Sequence, residues 1–390
     1  MRDFDVIVAG GGCAGLWAAT VAAGRGARTL LVEKQNRIGE NIRCAEGVGV
    51  MGISKFVEMK DEWVASAVHG GRFCAPDGNS VNVDEPGCGF VLHKDLFLKG
   101  LADKAAGAGV EIRTGSEVVG LEPVVGGGFE VALTEGGLRC ASVVAADGIR
   151  SAVAGMAGID THLSPEEIFI CVQNTVSSID VRPDFVEFHF GSGIAPGGYA
   201  WVFPKGEARA NVGLGIMSGR AGGAAGVRAG DCLKAFMEAR CPGAKIERAI
   251  AGGVPAAKKA PRGCYNGLFL AGDAARAADP VSGAGIVPAL ESAAVSGEFA
   301  AILALGEMDA GEVERRFSKK YGEVMKWRRL RYGLRKVFTR LSDSDFSRVV
   351  DLIGEYAASG QSLQTPGSLV KFFVKSMPGN FGMLRHLVGV

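Results

Sequence analysis

Four residues near the amino terminus have the types and the spacing that bind a dinucleotide. Gly10, Gly12 and Gly15 form the pattern G-x-G-x-x-G, directly after an apolar run and directly before an alanine-rich stretch. In such a turn the first glycine allows the tight bend, the second lets the backbone approach a pyrophosphate, and the third lets helix and strand pack closely. Glu33 follows the next apolar run, where its carboxylate can accept hydrogen bonds from ribose hydroxyls. The pattern predicts a dinucleotide site; the alternative is a glycine turn that serves packing alone.

This turn requires a strand, a helix and a second strand to position it. Apolar and alanine-rich runs predict a strand over residues 5–9, a helix over residues 14–25 and a strand over residues 29–32. Further predicted elements are a helix over residues 93–108, strands over residues 110–114, 117–121 and 129–133, and a strand over residues 268–271 before another alanine-rich helix. The first domain is therefore predicted to be completed by segments that are far apart in sequence.

Two other patterns occupy the rest of the chain. Between residues 167 and 216 apolar and aromatic residues recur with a spacing of two, which is typical of antiparallel strands with one face toward a core or a ligand. From residue 309 onward apolar residues recur at helical spacing. We therefore predict an α/β fold in three parts: a Rossmann-type dinucleotide-binding domain over residues 1–70, 89–160 and 256–305, an antiparallel β domain over residues 71–88 and 161–255, and a C-terminal helical region over residues 306–390.

Composition and charge exclude several classes of protein. The 390 residues carry a formal net charge of +1, without the basic excess that nucleic-acid binding requires. The nine scattered cysteines include no C-x-x-C pair, so neither a zinc site nor a disulfide framework is expected, and a reducing cytoplasm fits best. The uncharged run over residues 6–24 contains glycines and follows acidic residues, unlike a signal peptide. We expect a cytoplasmic protein without a bound metal, either soluble or lying on a membrane surface.

Two later motifs favour FAD over NAD as the resident cofactor. Residues 144–151 are V-A-A-D-G-I-R-S, and residues 267–285 are G-L-F-L-A-G-D-A-A-R-A-A-D-P-V-S-G-A-G. Together with the glycine turn they resemble the motifs of glutathione-reductase-like flavoproteins of the aromatic-hydroxylase branch. The resemblance implies that Asp273 hydrogen-bonds the ribityl chain and that Gly285 and Ile286, at a helix start, present backbone N–H groups to the flavin and pyrophosphate. Without the resemblance, Asp273 would be interpreted as a helix N-cap and Asp147 as a turn residue.

Two further segments resemble the geranylgeranyl reductase family within this branch. Residues 196–204 are P-G-G-Y-A-W-V-F-P, similar to the family pattern P-x-x-Y-x-W-x-F-P, and residues 43–47 are R-C-A-E-G, similar to R-C-G-E-G. The resemblance continues through A-N-V-G-L-G at residues 210–215. It implies an FAD-dependent reductase that transfers a hydride from reduced FAD to carbon-carbon double bonds of a geranylgeranyl-type isoprenoid lipid. The remaining cofactor-binding candidates that it implies are Ala14, Cys44, Ala45, Gly47, Lys94 and Val118.

An alternating aromatic run lies in the first of these segments. Tyr199, Trp201 and Phe203 are two residues apart, so their side chains project from one face of a strand. Spacing alone favours an ordinary aromatic core face. The resemblance instead favours substrate binding, with the three rings as walls of an apolar pocket for a prenyl chain.

Cys44 is the catalytic candidate, because the family places its cysteine in this loop near the flavin. It could donate a proton, gate the pocket, or fill space as a small buried hydrophobe. The chain departs from the family pattern where Ala45 replaces a glycine, Lys94 replaces an arginine and Leu98 replaces an acid. Ala45 is expected to be less free to adopt φ > 0, and Lys94 to lose a bidentate contact with the cofactor.

Lysine and arginine are concentrated between residues 315 and 340, with few acids among them. A basic amphipathic helix there could rest on an anionic membrane and collect a lipid substrate; the alternative is a solvated helix face. No second dinucleotide fingerprint is present, so the electron donor stays open between NAD(P)H and a ferredoxin-like protein. The alternative enzyme is an FAD-dependent aromatic-ring monooxygenase of the same fold, and the alternative outside enzymes is a lipid carrier that retains the flavin fold.

Overall fold

The computed structural model describes residues 2–217 and 226–360. Within these residues the chain forms two compact units, each assembled from three separate segments. The first unit consists of the described residues of Met1–Ile42, Lys94–Ser164 and Pro255–Arg329, and the second of the described residues of Arg43–His93, Pro165–Val254 and Leu330–Val390. Each unit has its own central β-sheet.

A largely parallel sheet forms the centre of the first unit, as predicted for a Rossmann-type domain. Its strands in the described residues are β1 (Val6–Ala9), β2 (Thr29–Glu33), β6 (Glu111–Thr114), β10 (Ser142–Ala145), β16 (Cys264–Tyr265) and β17 (Leu268–Leu270). The strand order is β16-β17-β10-β1-β2-β6, with β16 paired antiparallel to β17 and the other pairs parallel. Strands β1, β10 and β17 are buried along their whole length, which explains their continuous apolar sequences.

Helices and a small second sheet complete the first unit. The helices are α1 (Cys13–Gly24), α3 (Lys94–Gly107), α4 (Ala152–Met156), α6 (Ile286–Ala304) and α7 (Ala310–Val324). Helices α1 and α6 approach so closely that a Cβ atom on Gly297 would lie 2.3 Å from the carbonyl oxygen of Ala18. Helix α7 packs on α6 through Phe317 and Phe299, whose ring centroids are 5.7 Å apart. The small sheet has the order β7 (Val118–Pro123), β8 (Phe129–Leu133), β9 (Gly136–Cys140).

Helix α6 is, among the described residues, the helix whose length and composition would allow it to cross a membrane. Much of it is instead buried within the first unit. The hydroxyl of Ser296 donates to the carbonyl of Leu270 in β17 at 2.7 Å, and the hydroxyl of Ser142 in β10 donates to the carbonyl of Ala300 at 2.9 Å. These contacts are those of a core helix.

A larger sheet forms the centre of the second unit. Its strands in the described residues are β3 (Gly47–Gly49), β4 (Val64–Cys74), β5 (Ser80–Leu92), β11 (Ile168–Ser177), β12 (Phe185–His189), β13 (Tyr199–Pro204), β14 (Arg209–Met217) and β15 (Lys245–Pro255). The order is β15-β11-β14-β13-β12-β4-β5-β3. The predicted antiparallel pairing holds from β11 to β12, but β12 pairs with β4 in parallel, so the sheet is mixed.

Alternation along β11, β13 and β14 gives this sheet two different faces. One face packs against α5 (Ala229–Arg240), where Val202, Leu214 and Leu233 share one hydrophobic core. The opposite face carries aromatic, polar and sulfur-containing side chains, and we call it the polar-aromatic face; its members are Cys171, Gln173, Thr175, Tyr199, Trp201, Phe203 and Asn211. The remaining helices among the described residues are α2 (Val50–Ile53), α8 (Lys326–Phe338) and α9 (Asp343–Ala358). The division between the units falls within α8, after Arg329, and α9 begins at a capping box formed by Ser342 and Asp345.

The division into units differs from the predicted domain boundaries. Residues 43–70 and 89–93, predicted in the dinucleotide-binding domain, lie in the second unit because β3, β4 and β5 pair with one another and β4 pairs with β12. The predicted C-terminal helical region is divided, since α7 belongs to the first unit and α9 to the second. Residues 361–390 of that predicted region lie outside the described residues.

Candidate functional site

The two motifs at the carboxyl ends of β1 and β10 meet in the first unit. Gly10 follows β1 with φ of +107°, and a Cβ atom on it would lie 2.4 Å from the carbonyl oxygen of Ala146. Because β1 and β10 are parallel neighbours, Asp147 and the glycine turn lie at the same edge of the sheet. In open parallel sheets, ligands bind at this edge where the strand order reverses. In this sheet the strand order reverses between β1 and β10.

The three glycines of the turn have different surroundings. A Cβ atom on Gly15 would lie 1.8 Å from the carbonyl oxygen of Gly10, so Gly15 is required for the helix to pack on the turn. A Cβ atom on Gly12 would meet no described heavy atom within 4 Å. The space above Gly12 is therefore open, as the pyrophosphate-facing glycine of this motif requires.

Two helix starts of the first unit resemble anion sites. Helix α1 has Gly12 and helix α6 has Gly285 at the N-cap, so the N-cap residue supplies no side-chain oxygen to either helix start. By contrast, the carboxylate of Asp309 accepts the N–H of Glu312 at 2.9 Å at the start of α7. The N–H groups of a helix start and the helix dipole favour a negative group, so both starts fit the phosphates or the reduced flavin of FAD.

Glu33 is held at the end of β2 by backbone donors. Its Oε2 accepts the N–H of Gly11 at 2.6 Å and its Oε1 accepts the N–H of Gln35 at 2.9 Å. These bonds orient the carboxylate beside the glycine turn and leave lone pairs that can accept ribose hydroxyls. The N–H of Ser116 donates to the carbonyl of Glu33 at 3.1 Å, which brings the segment leading into Val118 to the same place.

The third motif also lies against the first. Gly272 has φ of +62°, and a Cβ atom on it would lie 2.8 Å from the Cβ of Ala14. Asp273 follows in a short 3-10 helix, where burial raises the pKa of its carboxyl while the charge of Lys94 opposes that rise. The structure thus brings Asp273, Lys94 and Ala14 into one region, which fits their assignment to the cofactor; their individual contacts with FAD stay a prediction.

Asp147 has a structural role in addition to its place at the sheet edge. Its carboxylate accepts the hydroxyl of Ser151 at 2.8 Å and the N–H of Val153 at 3.0 Å, and so caps α4. Burial raises the pKa of this carboxyl, opposed by those hydrogen bonds. Leu98, which stands where the family has an acid, is buried in the first unit.

In the second unit the R-C-A-E-G segment forms a loop, here called the Cys44 loop (residues 43–47). Cys44 is half-buried, and its Sγ accepts the N–H of Glu46 at 3.3 Å. The left-handed residue of the loop is Glu46, with φ of +72°, and not Ala45. Position 45 therefore does not use the φ > 0 that alanine disfavours, since the glycine-like conformation lies one residue later.

The carboxylate of Glu46 is buried, and its Oε2 has two partners. It forms an ion pair with Lys205, and Nδ2 of Asn211 donates to its Oε2 at 2.7 Å. Lys205 also donates to the carbonyl of Leu92 at 2.9 Å, and Asn211 to the carbonyl of Ala45 at 3.2 Å. The loop is thereby hydrogen-bonded to β14, to the end of β13 and to the end of β5.

A second set of bonds holds Cys44 itself. Nε2 of Gln173 donates to the carbonyl oxygen of Cys44 at 3.2 Å, and Nε1 of Trp201 donates to Oε1 of Gln173 at 3.0 Å. Cys171, two residues before Gln173 on β11, interacts with Cys44; burial, with the nearby Cys44 thiol adding to it, raises the pKa of Cys171 to about 12. Gln173, Lys205 and Cys171 belong to no motif used in the sequence analysis, whereas Asn211 lies in the A-N-V-G-L-G run.

The predicted aromatic face is present. The ring centroids of Tyr199 and Trp201 are 5.9 Å apart, and those of Trp201 and Phe203 are 6.4 Å apart. Phe188 of β12 extends the cluster, 5.6 Å from Phe203. A Cβ atom on Gly47 would lie 2.8 Å from Phe203, so this glycine lets the loop approach the rings. Trp201 and Phe203 are buried and Tyr199 is half-buried, so their contact with a substrate stays a prediction.

A separate cavity of about 760 Å³ lies on the α5 face of the second sheet. It is lined by apolar side chains that include Val172, Leu233 and Ile250, with Asn174 among them. The residues predicted for substrate or cofactor do not line it. It therefore belongs to the opposite face of the sheet from the Cys44 loop.

The predicted basic surface is only partly a surface. In the first unit the guanidinium of Arg328 is buried and donates to the carbonyls of Arg276 and Ala257. In the second unit Arg335 is buried, donates to the carbonyl of Glu166 at 2.7 Å, and lies 4.4 Å from the centroid of Phe169. These two arginines were wrongly counted among residues available to a membrane.

The chain matches two family models and several curated relatives. Residues 5–77 match the family model described as "FAD binding domain", and residues 167–255 match that described as "Geranylgeranyl reductase catalytic domain". The chain is 37% identical over 366 residues to the digeranylgeranylglycerophospholipid reductase of Methanosarcina acetivorans, which covers 91% of this chain and 90% of the relative. It is 39% identical over 310 residues to digeranylgeranylglycerophospholipid reductase 2 of Methanococcoides burtonii, with 77% and 76% covered.

Two solved structures are similar to this chain over most of its length. A geranylgeranyl bacteriochlorophyll reductase-like protein from Thermoplasma acidophilum matches with a TM-score of 0.86 and 30% identity over 98% of this chain and 99% of that one. A myxobacterial chondrochloren halogenase matches with a TM-score of 0.68 and 20% identity over 93% and 91%, which shows a shared fold alone. The chain therefore belongs to the digeranylgeranylglycerophospholipid reductase family, and its cofactor is FAD.

Proposed function

We propose that this protein is an FAD-dependent reductase that saturates carbon-carbon double bonds in isoprenoid lipids of the geranylgeranyl type. The observation that carries the proposal is the Cys44 loop, which is hydrogen-bonded to side chains of Gln173, Lys205 and Asn211 in the region matching the reductase catalytic domain. The names of the relatives support the substrate class. Membership of this family does not favour the alternative function, that of an FAD-dependent aromatic-ring monooxygenase.

The chain's own residues would bind, align and protect the reactants. When bound, reduced FAD supplies the hydride. The residues proposed to hold FAD are the glycine turn, Glu33, Asp273 and the start of α6. An isolated alkene is neither charged nor polarised, so the protein must accelerate the reaction mainly by alignment and by exclusion of water. The aromatic cluster around Tyr199 offers an apolar surface suited to a prenyl chain.

The second hydrogen requires a proton donor, and Cys44 is the proposed one. The N–H of Glu46 occupies a lone pair of the Cys44 sulfur, which leaves the thiol proton for donation. The hydride and the proton together would add one H₂ to the alkene. After each turnover the thiolate would recover a proton from solvent. Replacement of Cys44 by Ala with unchanged turnover would remove this role.

Mass spectrometry of lipids tests the proposed function directly. Chemically reduced, FAD-loaded protein is incubated without oxygen with geranylgeranyl lipids that differ in head group. We expect products heavier by two hydrogens for each saturated bond, with oxidised protein as the matched control. Unchanged lipids, in a sample whose FAD is bound and reduced, would refute the proposal. Consumption of oxygen with hydroxylated products would support the monooxygenase.

Location, membrane contact and electron donor complete the proposal. The nine cysteines all fall in the described residues and are free thiols, which fits a reducing cytoplasm. Trp327 is 63% exposed and is flanked by the exposed Lys326 and Arg329, a combination suited to an anionic membrane surface. We propose peripheral contact at this end of α8. Anaerobic reduction of bound FAD by NADPH, NADH or reduced ferredoxin, compared side by side, identifies the donor.

A further inference from the structure

Trp201 and Gln173 on the polar-aromatic face lie in register across three strands, with Gly213 between them. Strand pairing places Trp201 of β13 opposite Gly213 of β14, and Gly213 opposite Gln173 of β11. The indole of Trp201 extends over Gly213, where a Cβ atom would lie 2.6 Å from its Cζ2. Because residue 213 has no side chain, the indole N–H reaches Gln173 at 3.0 Å across the intervening strand.

The chemistry of the two end groups determines what can stand between them. An indole N–H only donates hydrogen bonds, and a backbone carbonyl only accepts them. The side chain that bridges them must accept at one end and donate at the other, as the primary amide of Gln173 does. This requirement also fixes which end of the amide is oxygen and which is nitrogen.

The amide of Gln173 and the indole of Trp201 are both removed from water. Gln173 is 4% exposed and Trp201 is 7% exposed. A buried donor or acceptor that loses its partner is unfavourable, so the indole and the amide are coupled: displacement of the indole leaves the amide oxygen of Gln173 unsatisfied, and displacement of Gln173 removes the hydrogen bond that holds the Cys44 carbonyl.

We propose that Trp201 and Gln173 are positioning residues, which hold the backbone of Cys44 through the sequence indole N–H, amide, carbonyl. This inference rests on the proposed function for its catalytic meaning, and it assigns to the tryptophan of the P-x-x-Y-x-W-x-F-P segment a role other than contact with the prenyl chain. Of the three aromatic residues of β13, Trp201 is the one in register with Gly213 and Gln173, whereas Tyr199 pairs with Gly215 and Phe203 with Asn211.

The test is the rate at which Cys44 is alkylated in full-length, FAD-loaded protein without substrate. Iodoacetamide modification is followed by peptide mass spectrometry, which separates Cys44 from the other cysteines. We expect Trp201→Phe and Gln173→Leu each to raise the rate about tenfold, the equivalent of roughly 1.4 kcal/mol for one lost hydrogen bond. Gly213→Ala should have the same effect, because its Cβ displaces the indole.

The double variant Trp201→Phe with Gln173→Leu shows whether the two residues act in series. If Trp201 acts through Gln173, the double variant alkylates about as fast as either single variant. It also removes two mutually dependent polar groups at once, so it remains informative if a single variant folds poorly. The matched control is Asn174→Leu, which removes an amide from the opposite face of the same strand, where Asn174 contacts Met237.

Three outcomes would overturn the inference: equal alkylation in wild type and Trp201→Phe, multiplied effects in the double variant, or an equal rise in Asn174→Leu. In lipid turnover we expect the single variants to lower kcat with little change in KM, whereas a wall of the substrate pocket would chiefly raise KM. Wild-type protein that reduces no lipid, yet shows the expected alkylation pattern, would refute the proposed function and leave the positioning contact in place.

Discussion

Replacement of Lys205 by Met is expected to release the Cys44 loop from the second sheet. The side chains of Lys205 and Glu46 are each 8% exposed, so the substitution leaves a buried carboxylate without its cation. Removing one partner of such a pair costs about 3–5 kcal/mol. Asn211 still donates to the same carboxylate oxygen at 2.7 Å, which places our expectation at the lower end, about 3 kcal/mol.

Hydrogen exchange of the peptide covering residues 43–50 measures this effect where it occurs. A loss of about 3 kcal/mol corresponds to a fall in protection of roughly 100-fold or slightly more. The double variant Glu46→Gln with Lys205→Met removes both charges, so it should be less destabilised than Lys205→Met alone. The control is Lys234→Met, because Lys234 is 78% exposed, lies 4.0 Å from Glu238, and should contribute only about 0–1 kcal/mol. Equal losses of protection in Lys205→Met and Lys234→Met would refute the reasoning.

Three further predictions follow from single features of the two units. Gly12→Ala should fold normally yet bind FAD at least about tenfold more weakly, because its Cβ enters the open space over the turn, whereas Gly15→Ala should reduce thermal stability; FAD fluorescence titration and melting separate the two. Burial raises the pKa of Glu187, but hydrogen bonds from Arg240 and a histidine outweigh this and lower it from 4.5 to about 2. The stability that Glu187 contributes through these hydrogen bonds is therefore complete above pH 4.5 and is lost as pH falls toward 2. Glu187→Gln should make the urea midpoint of unfolding less dependent on pH across that range. Trp327→Ser should weaken co-sedimentation of the protein with anionic vesicles. Wild-type protein that binds neutral and anionic vesicles equally well would contradict the membrane proposal.

Local patterns predicted most elements of the first unit because a few adjacent residues determine them. The predicted strand over residues 129–133 is β8 itself, and the predicted helix over residues 14–25 agrees with α1 to within one residue at each end. The β4 and β5 pair was missed, although the strands span 11 and 13 residues. Glycines and polar residues interrupt their alternation, and register shifts at Val64/Ser66 and Val68/Gly70 displace it from one face to the other. The predicted boundaries at residues 71 and 88 therefore cut through both strands.

The candidate site was predictable only where one segment carries the function. The glycine turn and its acid follow one another along the chain, so their spacing predicts their geometry. Gln173 and Lys205 have no such spacing relative to Cys44, because their contact depends on strand order and register in the folded sheet. The aromatic alternation likewise predicted the face on which Trp201 lies, but not that its indole nitrogen reaches across β14.

The alanine at position 45 illustrates why a departure from a family pattern is best weighed after the backbone is known. A non-glycine residue with positive φ costs about 1–3 kcal/mol and persists where surrounding contacts outweigh the strain. In this loop the strained residue is Glu46, and its side chain is also the one paired with Lys205 and Asn211. Ala45 makes no such demand, since only its carbonyl is needed by Asn211. The strain and the ion pair thus fall on the same residue, and Glu46→Gly, which relieves the first and removes the second, should still lose protection in the loop because the buried pair contributes more than the strain it offsets.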